Sequence, residues 1–333
     1  MESIVLMNSK WGNDIFIPMY LFFGGLTGGL FIVAVVADLI GIKYKAFENL
    51  SKVAAFIALP VLVLAGLFIT FHLGKPERGM LFPFFFTNYK SWMVIGGWSV
   101  GLAVPIVAGY AALWFFRSNQ ALRRLLGVIG VPLLGFVSFY TGLLLSGAKF
   151  VPLWSQQYLP TLFLNSGVLT GLAGAGLMFV FFRVFLSTSP KETNGVLEVL
   201  SYGILAVILV ELLEINLFMR YLASNPAKLD ASGQFVVPNG SVMAYEYVTQ
   251  GALANWFWWG IIGVGLSLPL LLTFVEMFFR KIIRPFENLV ATVKFASILT
   301  GGTILRFVIV WGGRPEGTAE FSTGPFPDPH HQV

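Results

Sequence analysis

The chain has 333 residues, 56% of them hydrophobic and 11% charged, with a formal charge of +5. Soluble domains carry about 25% charged residues, so the composition is that of a polytopic membrane protein, and its basic balance is first a topology signal rather than a sign of nucleic-acid binding. With no cysteine, disulfides and thiolate-ligated iron-sulfur clusters on this chain are excluded.

The only histidines are His72, His330 and His331, two of them in a Pro/Gly-rich tail. A haem held between spans by two imidazoles is therefore not expected, nor is a metal site on this chain. The start, MESIVLMNSKWGND, lacks the basic flank and short apolar core of a cleavable signal. The first span is expected to serve as its own insertion signal.

Hydrophobic runs long enough to cross about 30 Å of hydrocarbon recur eight times, over 15–42, 53–72, 91–116, 123–147, 163–186, 196–221, 253–279 and 287–311. The connections after spans 1, 3, 5 and 7 hold eleven Lys and Arg, and the other side holds eight spread over longer segments. By the positive-inside rule both termini face outward. The long segments 73–90 and 222–252 and the tail after Trp311 then lie outside as well.

Span 3 reads SWMVIGGWSVGLAVP from Ser91 and span 7 reads NWFWWGIIGVGLSLP from Asn255, sharing Trp, Gly, Val, Gly, Leu and Pro in register. Spans 1 and 5 share a weaker LTG at Leu26 and Leu169. Four spans per repeat make the halves parallel, with the symmetry axis along the membrane normal. The expected fold is all-α: eight transmembrane helices in two pseudo-repeated four-helix bundles, residues 1–150 and 151–313, followed by an extramembrane tail, 314–333. Gly24, Gly25, Gly28 and Gly29 in span 1, with Gly171, Gly174 and Gly176 in span 5, permit close helix approach. A flat ligand against that glycine face is the second use for them.

The stretch FYTGLLLSGAKFVPLW, Phe139 to Trp154, places Tyr140 about two turns before span 4 ends. A phenol in hydrocarbon costs roughly 2 to 7 kcal/mol unless it finds a partner, so it bonds a neighbouring helix, faces a polar ligand, or belongs to the interfacial aromatic belt. Ionisable groups at membrane depth are functional candidates by default: Asp38, Glu211, Glu214, Glu276, Lys294 and Arg306. Asp38 and Glu276 lie near inner ends, where snorkelling is the expected account, and Lys294 is placed to pair with Glu276. Glu214 and Arg306 are placed for a buried ion pair, with Glu211 one turn deeper. These three are read as a structural pair or as proton-transfer residues. On the outer side, HLGKPER concentrates His72, Lys75, Glu77 and Arg78, suited to docking an extrinsic subunit or closing a headgroup pocket. The Pro/Gly-rich tail cannot continue a helix and is either disordered or laid out over a partner, the second being the favoured expectation.

Taken together, GGLTGG in span 1, HLGKPER after span 2, SWMVIGGW opening span 3, YTGLLLSGAKFVPLW at span 4 and LRFVIVWGG ending span 8 resemble the NrfD-like family of membrane anchors, the polysulfide reductase membrane-anchor type. The match runs through nearly the whole chain in order. The resemblance implies a haem-free subunit of a bacterial or archaeal cytoplasmic-membrane oxidoreductase that binds menaquinone or another quinone. It also implies electron exchange with an extrinsic four-cluster iron-sulfur subunit, itself attached to a molybdenum-type catalytic subunit. The family's quinone-binding tyrosine falls on Tyr140. On span 1 the family's polar positions read Ile17 and Tyr20, a departure that leaves Tyr20 or His72 as the second donor. Gly28 and Trp154 complete the implied quinone site.

A secondary transporter with parallel four-helix repeats also combines repeats with intramembrane charge. Transporters gather polar groups near the midplane, whereas Tyr140, Tyr20, His72 and Trp154 fall near one face. A passive anchor without a quinone site is a third reading. The terminal substrate belongs to another subunit and is not written in this chain.

Overall fold

A computed structural model describes residues 15–72, 88–117, 119–148, 151–183, 190–224, 240–279 and 284–313. Among these the chain is all-helical, with eight helices long and apolar enough to cross a membrane. The first six spans are α1 (Phe16–Gly41), α2 (Ala46–His72), α3 (Trp92–Phe115), α4 (Gln120–Ser146), α5 (Leu159–Phe182) and α6 (Pro190–Ser224). A short helix, α7 (Gly240–Thr249), precedes a seventh span made of a π-helical segment (Trp256–Ser267) that continues into α8 (Leu268–Phe278). The last span is α9 (Glu287–Gly312). An even number of spans puts Phe16 and Gly312 on one face of the bundle, hereafter the terminal face.

Boundaries differ from the sequence reading where polar residues join a helix. α2 starts at Ala46 rather than 53, because Phe47, Leu50 and Ser51 are buried and Glu48 occupies the first turn, where the helix dipole favours an acid. Pro160 sits in the first turn of α5, where its missing N–H costs nothing, and the helix starts at Leu159 rather than 163. α7 lies inside the predicted connection 222–252.

The centre of the bundle is the crossing of α1 and α5. α1 also packs on α2, α4 and α9, and α5 on α2, α4, α6 and α9. A Cβ on Gly29 would run into the backbone of Gly167 and one on Gly171 into the backbone of Gly29, so only glycine lets these axes approach so closely. Both helices are apolar around their whole circumference, consistent with helices buried inside the bundle.

The seventh span departs from α geometry although its sequence matches span 3, which is α-helical. Gly265 of the π segment lies against Gly301 of α9, with room for no side chain at either position. The π segment ends at Ser267: the N–H of Leu268 bonds back to the Gly263 carbonyl, and the next residue, Pro269, has no N–H to give.

Away from the terminal face the structure corrects the snorkelling expected of Asp38. This carboxylate is fully buried and receives two hydrogen bonds from Arg123, from Nε at 2.8 Å and Nη2 at 2.7 Å. Arg124 Nε lies 3.4 Å from the same carboxylate and the Tyr110 hydroxyl donates at 3.1 Å. Trp114 lies under the Arg123 guanidinium, 3.4 Å from its ring centroid, and donates its indole N–H to Ser51. The reason is geometric: Arg123, in the first turn of α4 behind its Asn119 cap, faces Asp38 of α1 inside the bundle, so the two charges pair instead of both reaching for water. The pairing read for Lys294 is present, to Glu276 and to Ser201 Oγ, and Lys294 is itself buried.

Candidate functional site

Tyr140 projects from α4 into the contact with α3 and α1, and is 3% exposed. Its ring lies over Gly96 of α3, where any Cβ would overlap the phenol carbons and hydroxyl. Phe136, one turn earlier on α4, stacks beside it at 6.4 Å between centroids. The Tyr140 and Tyr20 hydroxyls lie within interaction range of each other across α4 and α1. Tyr20 is 4% exposed. On either side of it along α1, Phe16 packs on Phe68 and Phe71, and Phe23 stacks on Phe68 at 5.4 Å. Two phenols thus meet beside an aromatic wall shared by α1 and α2.

The other residues read from the sequence have separate settings. His72 is the last residue of α2 and half-buried. Trp154, in the turn between α4 and α5, donates its indole N–H to the Ile309 carbonyl at 2.8 Å, and its ring covers Gly313. It is thereby held by the end of α9. Gly28 presents no open surface: a Cβ there would meet Ser138 Oγ and the Leu134 carbonyl of α4, so this glycine serves helix packing. Lys75, Glu77, Arg78 and the tail 314–333 lie outside the described residues.

Arg306 occupies the junction of α9, α5 and α1 and is fully buried. Its Nη1 donates to Ser166 Oγ and its Nη2 to the Phe163 carbonyl at 3.3 Å. The guanidinium also lies over the Phe163 ring, 4.6 Å from its centroid. On the far side, Nη2 is 3.1 Å from where a Cβ on Gly25 would stand. The expected ion pair with Glu214 is not formed. Arg306 interacts electrostatically with Glu211, while Glu214 lies beside Asn165 and Thr161 of α5, its Oε2 buried without a hydrogen-bond partner among the described residues. The Arg306 guanidinium is held instead on the α5 side, by Ser166 and Phe163, which the sequence alone does not pair with it.

Glu211 is 2% exposed, and its Oε2 and Arg306 Nε are buried without hydrogen-bond partners among the described residues. A small void beside Glu211 is walled by Ser166, Thr170, Ile261, Gly265 and Gly302. The π segment thus forms one side of the acid's surroundings. Ser138 of α4 donates to the Gly25 carbonyl at 3.1 Å and receives, on its own carbonyl, the Thr141 hydroxyl at 2.6 Å. Ser138 thereby ties α4 to α1 at Gly25, whose α-carbon faces the Arg306 guanidinium. Sequence reading singled out Tyr140, Glu211 and Arg306 but not Ser138, Thr141 and Ser166, which look like ordinary small residues of apolar helices.

Eight apolar spans around glycine-mediated crossings, with buried phenols and a buried arginine at their centre, define a multi-pass α-helical membrane protein. Residues 6–315 match the family described as "Polysulphide reductase, NrfD", and the chain belongs to that family. It is 27% identical to a polysulfide reductase polypeptide of Wolinella succinogenes over 336 residues, covering 92% of this chain and 99% of the relative. It is 25% identical to protein NrfD of Escherichia coli (strain K12), covering 90% and 93% respectively. A selenate reductase subunit of Mesobacillus selenatarsenatis is 23% identical, over 81% of this chain and 68% of the relative.

Proposed function

We propose that this chain is the quinone-binding membrane subunit of a respiratory oxidoreductase, passing electrons between the membrane quinone pool and an extrinsic iron-sulfur subunit that serves a molybdenum-type catalytic subunit. Its membrane is the cytoplasmic membrane of a bacterium or archaeon, with both termini on the outer side. Family membership and the relatives' names support an oxidoreductase setting. The observation that carries the quinone assignment is the Tyr20–Tyr140 pair on the Gly96 face. A quinone headgroup needs hydrogen-bond donors to its oxygens and an apolar surround. Two phenols supply the donors, and Phe16, Phe23 and Phe68 supply the aromatic wall. Tyr140 is the donor held most firmly, since Gly96 and Phe136 fix its ring. Tyr20 turns its hydroxyl from Tyr140 to the headgroup.

Purification of the intact complex in mild detergent, with quinone extraction and iron analysis on one sample, tests this. Near-stoichiometric quinone together with cluster iron from a partner is the expected result. A protein isolated with neither quinone nor partner overturns the reading and favours the transporter.

Glu211, Glu214 and Arg306 are proposed to handle protons, with Arg306 and Ser166 beside Glu211. In proteoliposomes, Glu211→Gln is expected to keep quinol-dependent electron transfer while lowering the number of protons moved per electron. Unchanged proton stoichiometry would leave these residues with a structural role alone.

A further inference from the structure

A second cleft opens at the terminal face, between α6, α7 and the start of the π segment, with a volume of about 290 Å³. Its lining is largely apolar, formed by Leu212, Ile215, Met219, Phe257 and Ile262. Its polar members are Arg220 near the end of α6, Asn216 one turn deeper on the same helix, and Thr249 at the end of α7. Arg220 also borders an open depression of about 650 Å³ on its other side, beside Tyr158, Tyr221 and Ser224. The arginine is exposed and, among the described residues, makes no hydrogen bond or ion pair. An arginine in lipid is ordinarily paired or drawn to the interface, and this one stands one turn before the end of α6.

The surroundings place that level at the membrane surface. Tyr158 stacks on Phe218 at 5.6 Å and packs on Tyr221 at 5.1 Å, and Trp258 donates to the Thr249 carbonyl at 2.9 Å with half its surface exposed. Aromatic side chains with one polar end belong to the headgroup zone. From Arg220 to Leu212 the cleft descends two turns of α6, about 12 Å at 1.5 Å per residue. A cation at headgroup level, an open depression on one side and an apolar slot below on the other have the layout of a phospholipid: phosphate, headgroup and acyl tail.

We propose that this cleft is a binding site for one anionic phospholipid of the leaflet at the terminal face, its phosphate on Arg220 and one acyl tail in the slot between α6 and the π segment. Asn216 and Thr249 offer polar contacts where the tail begins. Arginine suits a phosphodiester because its planar fork bonds two oxygens at once. The site is separate from Tyr140 and independent of the quinone reading.

Native mass spectrometry of the intact complex, extracted in mild detergent and exchanged with phosphatidylglycerol vesicles, tests the site. Wild type is expected to retain one phosphatidylglycerol through delipidation. Arg220→Ala should lose it at least tenfold more readily, and Leu212→Trp, which fills the bottom of the slot, should lose it with the charge intact. Arg220→Lys is expected to lie between Arg220→Ala and wild type. Equal retention in wild type, Arg220→Ala and Leu212→Trp overturns the proposal. Retention of a quinone instead, lost in the same variants, overturns it in favour of a second quinone site. Protection by inorganic phosphate alone, undisturbed by Leu212→Trp, overturns the lipid assignment and leaves an anion site. A thermal melt of each variant in detergent, unchanged within error, separates a lost ligand from a lost fold.

Discussion

Tyr140→Phe lowers quinol-dependent electron transfer by about tenfold if its hydroxyl bonds the quinone, because one such bond is worth about 1 to 1.5 kcal/mol and about 1.36 kcal/mol is a factor of ten in rate. Activity of the catalytic subunit with a soluble dye should not change, which localises the loss to the membrane step. Gly96→Val is the companion variant: it keeps the phenol but drives a side chain into the place of its ring. A loss at least as large as that of Tyr140→Phe is expected, along with a broken link to Tyr20. If Tyr140→Phe turns over quinol at the wild-type rate, the tyrosine has only a packing role and the passive-anchor reading gains.

Asp38→Ala should be the most destabilising single change in the first four spans. It removes the acceptor of both Arg123 bonds and leaves a buried guanidinium with only the Trp114 face for company. Breaking a buried pair from one side costs about 3 to 5 kcal/mol. Asp38→Leu with Arg123→Met, which removes both charges, should recover most of that loss, since a buried pair replaced by apolar groups of similar size is often nearly neutral. Unfolding of the purified protein in mixed micelles measures all three. A loss below about 1 kcal/mol in Asp38→Ala would mean that water reaches the network and that its charges are already solvated.

The sequence made the number of spans readable because each run of apolar residues is long enough to cross hydrocarbon and each break carries charge. It also pointed to Tyr140, since a phenol in such a helix demands a partner. Tyr20 was readable only as one of two candidates for a second quinone donor and not as the neighbour of Tyr140, because that meeting depends on which faces of α1 and α4 pack together. Asp38 shows the limit most clearly. Near a helix end an aspartate can reach water or turn inward, and the choice rests on Arg123 and Tyr110, far away in the chain. The π geometry of the seventh span was equally hidden, as its sequence matches a segment that is α-helical. Arg306 was legible as a buried charge, but its hold by Ser166 arises from a crossing that only the folded bundle creates.

The place of Arg306 has a consequence for biogenesis. α1 leaves the ribosome first yet ends at the centre, its glycine face closed by helices made later. α9 is made last and carries an arginine whose entry into lipid costs about 2.5 to 3.5 kcal/mol on insertion scales. By then α1 and α5 are present, so Gly25, Phe163 and Ser166 can receive the guanidinium as it arrives. The last span therefore locks the first. A nascent polypeptide halted before α9 would hold α1 and α5 around an unfilled polar gap, the kind of defect by which membrane quality control recognises an unfinished protein.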